Sequence, residues 1–203
     1  KIAYRTRATL LCVAGGISYW TWTGKKPSLV ELNSTVTTQA QIMAESGADL
    51  LMLEMMIDIE QMMVTYEAAK SSGLPTWIGL TCKANDQGEI CLRDGDPLEH
   101  ALAALSDDKP DVINIMHTDV SHVIPALDYL KSSWNKHVGV YAHSGRTING
   151  KWTFNDVLSP VGYQQYAESW VDKGVTFIGG CCGLSVKHIA LLNKTLIKTA
   201  VQK

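Results

Sequence analysis

The chain has 203 residues, of which 46% are hydrophobic and 19% charged, with a formal net charge of −2. That balance excludes a disordered or fibrous chain, and a chain of this length buries roughly 70% of its unfolded surface. No basic run points to nucleic acid or a membrane surface, and no apolar run reaches the roughly 18 residues of a membrane span.

In chain order, short apolar, β-rich runs occur at Leu10–Gly16, Asp49–Glu54, Thr76–Thr81, Val112–Met116, Val138–Tyr141 and Val175–Gly179. Segments with helical spacing separate and follow them, at Thr35–Ser46, Ile59–Ser71, Leu98–Leu105, Val120–Ser133, Gly162–Asp172 and Val186–Lys198. Glycines at Gly47, Gly73 and Gly174 mark helix ends just before a strand. Strand–helix repetition predicts parallel strands joined by right-handed crossovers, an α/β fold. Nearly continuous apolar strands predict a sheet covered on both faces.

An open doubly wound sheet and a closed (β/α)8 barrel of the TIM type both fit that pattern. The residues at the strand ends favour the barrel. They are Gly16-Ile17-Ser18, Glu54, Thr81-Cys82, His117, His143-Ser144 and Cys181-Cys182. A barrel gathers all its strand C-termini at one mouth, whereas an open sheet uses one switch point. No Gly-x-Gly-x-x-Gly follows the first strand. About six strand–helix units are countable against the eight of a closed barrel. The expectation is therefore a single domain over residues 1–203, a barrel lacking its first two units. An upstream segment or a neighbouring chain, such as a second copy, would then cover the open barrel edge.

Cysteine usage points to compartment and chemistry together. There are five, Cys12, Cys82, Cys91, Cys181 and Cys182, an odd number with two adjacent. This is not a disulfide framework, so a reducing, cytoplasmic location is expected. The sharpest local signal is Phe177-Ile178-Gly179-Gly180-Cys181-Cys182-Gly183, leading into a helix. Neighbouring strand residues point to opposite faces, so two adjacent sulfurs share a ligand only where glycines release the backbone. Metal binding and burial as two small apolar side chains both satisfy that pattern.

The stretch Val175 to Gly183, with His188-Ile189 after it, resembles the zinc-binding signature of the homocysteine S-methyltransferase family. Val13-Ala14-Gly15-Gly16-Ile17, Ala48 to Glu54 and Pro75 to Thr81 resemble that family's third, fourth and fifth strands in order and spacing. The resemblance implies a (β/α)8 barrel, a zinc cofactor, homocysteine as methyl acceptor and methionine as product. It implies zinc on Cys181 and Cys182 and the substrate ammonium on Glu54. The family's third cysteine, in an Asn-Cys pair at the end of the sixth strand, falls on His117, with Met116 at the asparagine. Neutral imidazole is a good zinc ligand, so His117, Cys181 and Cys182 form the expected metal set. The family's Asp-Gly element on its first strand has no counterpart here.

His143 falls where the family carries Pro-Asn and is read as a proton carrier, a partner of the metal ligands, or an ordinary loop histidine. Trp20 and Trp22 offer aromatic faces for an onium methyl donor. Two further functions stay open: a non-catalytic relative that binds a small molecule or a partner protein, and a redox-active Cys181–Cys182 pair.

Overall fold

Six apolar strands pair side by side in chain order, and this sequential pairing decides the architecture. The computed structural model describes residues 12–19, 25–105, 110–148, 151–154 and 157–200. Trp20 and Trp22 lie outside the described residues. The wall strands are β1 (Ala14–Ile17), β2 (Leu50–Met56), β3 (Thr76–Leu80), β6 (Val112–Asp119), β7 (His137–His143) and β10 (Phe177–Ile178). They form one sheet in the order β1-β2-β3-β6-β7-β10, every neighbouring pair parallel. A doubly wound sheet would reverse its strand order; this one does not, so the sheet is a barrel wall. Among the described residues the wall is open, with β1 and β10 at its edges.

Six helices connect or follow these strands: α1 (Leu29–Glu45), α2 (Ile59–Lys70), α3 (Leu98–Ala104), α4 (Val120–Ser133), α5 (Pro160–Asp172) and α6 (Val186–Ala200). Side-chain caps start several of them. Ser28 and Glu31 make a reciprocal capping box on α1, Asp58 caps α2, and Ser159 caps α5 with Pro160 in its first turn. Helix α1 therefore begins six residues before the expected Thr35, at the Ser-x-x-Glu signal. Residues Leu51, Leu53, Ile78, Leu80, Ile113, Ile115, Val138 and Val140 are buried together in the core, and on the opposite face of β6 Val112, Asn114 and Met116 are buried too.

Some expectations needed correction. Two antiparallel hairpins interrupt the strand–helix alternation, β4 (Cys82–Ala84) with β5 (Ile90–Leu92) and β8 (Arg146–Ile148) with β9 (Lys151–Thr153). Cys91 lies in β5 and is buried, not in a loop, while Cys12 precedes β1 and is exposed. Strand β10 is shorter than expected, although Thr176 and Gly179 continue its hydrogen bonds to Val138 and Val140 of β7.

The packing that shapes the barrel mouth rests on Gly79 in β3. A Cβ there would stand 2.6 Å from the Tyr141 hydroxyl, 2.7 Å from Met116 Cγ and 3.0 Å from the Leu53 carbonyl. Tyr141 from β7 and Met116 from β6 thus lie across β3 only because it has no side chain at that point. Gly79→Ala should destabilise the protein by about 1–3 kcal/mol through overpacking. Urea unfolding should show a lower midpoint with an unchanged slope; an unchanged midpoint would contradict the packing argument.

Candidate metal and substrate site

Both carboxyl-end residues singled out in the sequence sit on one-residue bulges. In β2, Leu53 pairs with Ile78 and Met56 with Leu80, so Glu54 and Met55 face Gly79 alone. In β6, Met116 pairs with Tyr141 and Asp119 with His143, so His117 and Thr118 face Ala142 alone. Each bulge holds a non-glycine residue in the left-handed region, Met55 at φ 58° and His117 at φ 42°. Such residues cost of order 1–3 kcal/mol each and persist only when their surroundings over-determine them. The surroundings do so here. The Met55 N–H donates to Met116 Sδ at 3.2 Å, which ties the two bulges together. Thr81 Oγ1 donates to the same sulfur at 3.3 Å. Thr118 Oγ1 donates to the Met116 carbonyl and accepts from Cys82 N–H, both at 2.9 Å.

The Cys-Cys turn is built against the end of β7. Cys181 N–H donates to the Ala142 carbonyl at 3.1 Å, and Ser144 N–H to the Cys182 carbonyl at 2.9 Å. Gly183 has φ 84°, and any Cβ there would collide with the Ser144 carbonyl. Behind the turn, Tyr163 Oη donates to the Gly179 carbonyl at 2.8 Å. His188, part of the sequence signature, is a brace and not a ligand. Its Nδ1 accepts from Ser185 N–H at 3.1 Å, and its Nε2 pairs with the Leu158 carbonyl at 2.9 Å.

These constraints bring His117, Cys181 and Cys182 together. His117 Nδ1 lies 3.3 Å from Cys181 Sγ and 3.6 Å from Cys182 Sγ, and the sulfurs are 3.8 Å apart. Among the described residues this is the group whose ligand atoms converge. Zn–S and Zn–N bonds of about 2.3 and 2.05 Å at tetrahedral angles require edges of about 3.8 Å between sulfurs and 3.6 Å between sulfur and nitrogen. The residues therefore fit zinc, with a fourth position left for a ligand.

The electrostatics suit the same use. Burial, then His143 and Arg93, hold the His117 imidazole down at about 4, so it is neutral at physiological pH. Burial, then Cys182, raises the Cys181 thiol above its ordinary value, so it carries its proton until a cation displaces it. Glu54 is half-buried, has no cationic partner among the described residues, and is raised by desolvation. Its charge acts on both Cys181 and Tyr141, which places it at the same mouth.

Sequence reasoning missed Trp152. Its ring centroid lies 5.2 Å from that of His117 and 4.9 Å from that of His143, and the two histidine rings are 4.8 Å apart. The Asn149-Gly150 pair between β8 and β9 is a hairpin signal that would have returned Trp152 towards β7. Beside this ring cluster is a cavity of about 270 Å³, lined by Lys83, Arg93, His117, Asp119, His143 and Trp152 among others. Cys82 is a buried thiol raised to about 12, first by desolvation, and belongs to the packing of β4.

Two thiols and an imidazole thus converge at the strand ends of a barrel-type α/β fold. The homocysteine S-methyltransferase family profile matches residues 1–196, and the chain belongs to that family. It is 22% identical over 191 residues to homocysteine S-methyltransferase 2 of Arabidopsis thaliana, covering 91% of this chain and 56% of that protein. It is 26% identical over 164 residues to selenocysteine methyltransferase of Astragalus bisulcatus, covering 78% and 47% respectively. The chain thus spans about half the length of the curated relatives it matches. The apo homocysteine methyltransferase MmuM of Escherichia coli superposes with a TM-score of 0.74 at 22% identity, over 95% of this chain and 65% of that one. Its metallated form superposes with the same score. At that identity the likeness speaks for the fold.

Zinc uptake should release a proton from Cys181 and none from His117, which is already neutral at pH 7. Calorimetry in buffers of different ionisation enthalpy should therefore show fewer protons released by Cys181→Ala. His117→Ala should bind more weakly with the proton count unchanged. A smaller proton count in His117→Ala would show that the imidazole is protonated before metal arrives.

Proposed function

We propose that this protein is a zinc-dependent methyltransferase that moves a methyl group from a donor to the thiol of homocysteine, giving methionine. The observation that carries the reading is the match of the His117, Cys181 and Cys182 ligand atoms to the edges of a zinc tetrahedron. Glu54, at the same mouth and with no cationic partner among the described residues, supports it. Family membership supports it as well.

Zinc, when bound, supplies the charge that keeps a thiol ionised at neutral pH. The chain's own residues do the rest. Cys181, Cys182 and His117 would hold the metal, and two thiolates with a neutral imidazole leave the site uncharged. Three thiolates would leave it at −1. The lower charge makes this site a stronger Lewis acid and a weaker electron donor than the family's three-cysteine set. Glu54 would take the substrate's ammonium group, the counter-charge that a half-buried carboxylate lacks. The sulfur would attack the methyl carbon in line. The S–C bond forms as the donor–methyl bond breaks, and its electron pair leaves with the donor. Positioning of the two reactants is the protein's main contribution. The cavity walled by Trp152, His143 and His117 would admit the methyl donor beside the metal ligands. Five free cysteines suit a reducing compartment such as the cytoplasm.

The zinc-loaded protein should bind homocysteine with release of a proton and bind methionine, which has no thiol, much more weakly. Glu54→Gln should weaken homocysteine binding by about tenfold to a hundredfold, the range for a lost hydrogen bond to a charged group. Titration calorimetry measures both. Equal affinity for the two amino acids would overturn the methyltransferase reading.

A further inference from the structure

We propose that His143 is a positioning residue that sets the His117 ring for metal binding, acting through ring packing and not as a ligand. The proposal rests on the zinc reading above and concerns residues to which family resemblance gives no role.

A metal-bound histidine is ordinarily fixed by its second ring nitrogen, which donates to a carboxylate, a carbonyl or water. With Nδ1 of His117 facing the two sulfurs, the second nitrogen is Nε2. It is buried and has no hydrogen-bond partner among the described residues. Packing must therefore help to hold the ring, because a residue at φ 42° on a bulge has no regular ladder to fix its direction.

Two features converge on that task. The His143 ring packs on that of His117 at 4.8 Å, tilted by 55°. Trp152 touches both rings, at 5.2 Å from His117 and 4.9 Å from His143, edge-on to the latter. The three rings form a closed triangle with one apex on the metal set. His143 is itself fixed in register, paired with Asp119 directly after the bulge. The bulge is thus held twice. Thr118 ties its β3–β4 side through Cys82, and the His143 ring packs against it from β7. His143 does not join the converging ligand atoms.

The test measures metal affinity and ligand geometry, with no need for turnover. Zinc affinity is read by competition with a chromophoric chelator, and geometry by the visible absorption of the cobalt(II)-substituted protein. His143→Ala should weaken zinc binding by about tenfold to a hundredfold, the usual effect of removing a ligand's support. Its cobalt bands should weaken and shift towards those of His117→Ala. His143→Phe, which keeps a flat ring packed on His117, should recover most of the affinity. In a His117→Cys background, which has no ring to orient, His143→Ala should change affinity by no more than about threefold. Should His143→Ala fail to fold, Trp152→Ala probes the same triangle and should shift the cobalt bands in the same direction. Wild-type affinity and spectrum in a folded His143→Ala variant would overturn the proposal. A Phe variant no better than Ala would do the same. A wild-type protein that binds neither metal would instead overturn the zinc reading on which this proposal stands.

Discussion

The site depends on two left-handed residues held without glycine. Met55 and His117 each turn the backbone at the end of a parallel strand, and the turn redirects Glu54 and the His117 ring towards the mouth. A regular strand would alternate those side chains between the mouth and the helix layer. The hydrogen bond from Met55 N–H to Met116 Sδ makes the two bulges one unit, since Met116 immediately precedes His117. Met116 reaches that position by lying over Gly79. A missing side chain on β3, a thioether on β6 and a strained amide on β2 thus cooperate to aim two functional groups carried on different strands. Bulges next to active sites commonly serve this purpose.

The Cys-Cys turn solves a different problem by a different device. Adjacent sulfurs must face the same way, so the chain leaves strand geometry after Ile178 and keeps only single hydrogen bonds to β7. Gly183 lets the turn press against Ser144, and His188 pins the start of α6 to the Leu158 carbonyl. The flexible-looking glycine-rich segment is therefore fixed on three sides. Rigidity matters because a preformed set of ligands spends less of the metal's binding energy on ordering side chains.

Substituting imidazole for a thiolate changes more than charge. Cysteine is short and reaches a metal directly from its backbone. Histidine is longer and planar, so its ring must be oriented as well as placed. Aromatic neighbours on β7 and on the β8–β9 hairpin supply a wall for that ring. A three-cysteine site needs no such wall.

Much of this was legible in the sequence. Apolar runs, helix-end glycines and reactive strand ends specified a barrel-type α/β wall. Five of the six expected helices start within two residues of their observed starts, because caps and periodicity are local signals. The late start expected for α1 ignored a capping box that was visible at Ser28 and Glu31. The candidate metal residues were readable too, through family resemblance and residue type. Only the tertiary structure decided the rest. No glycine marks the bulges at Met55 and His117, since their strain is offset by contacts 61 residues apart in sequence, such as that between Met55 and Met116. The ring triangle of His117, His143 and Trp152 likewise joins a wall strand, its neighbour and a hairpin. Sequence fixes what is local in energy, namely caps, periodicity and chemical type. The direction in which a strained residue points is set by packing between strands, which exists only once the wall has formed.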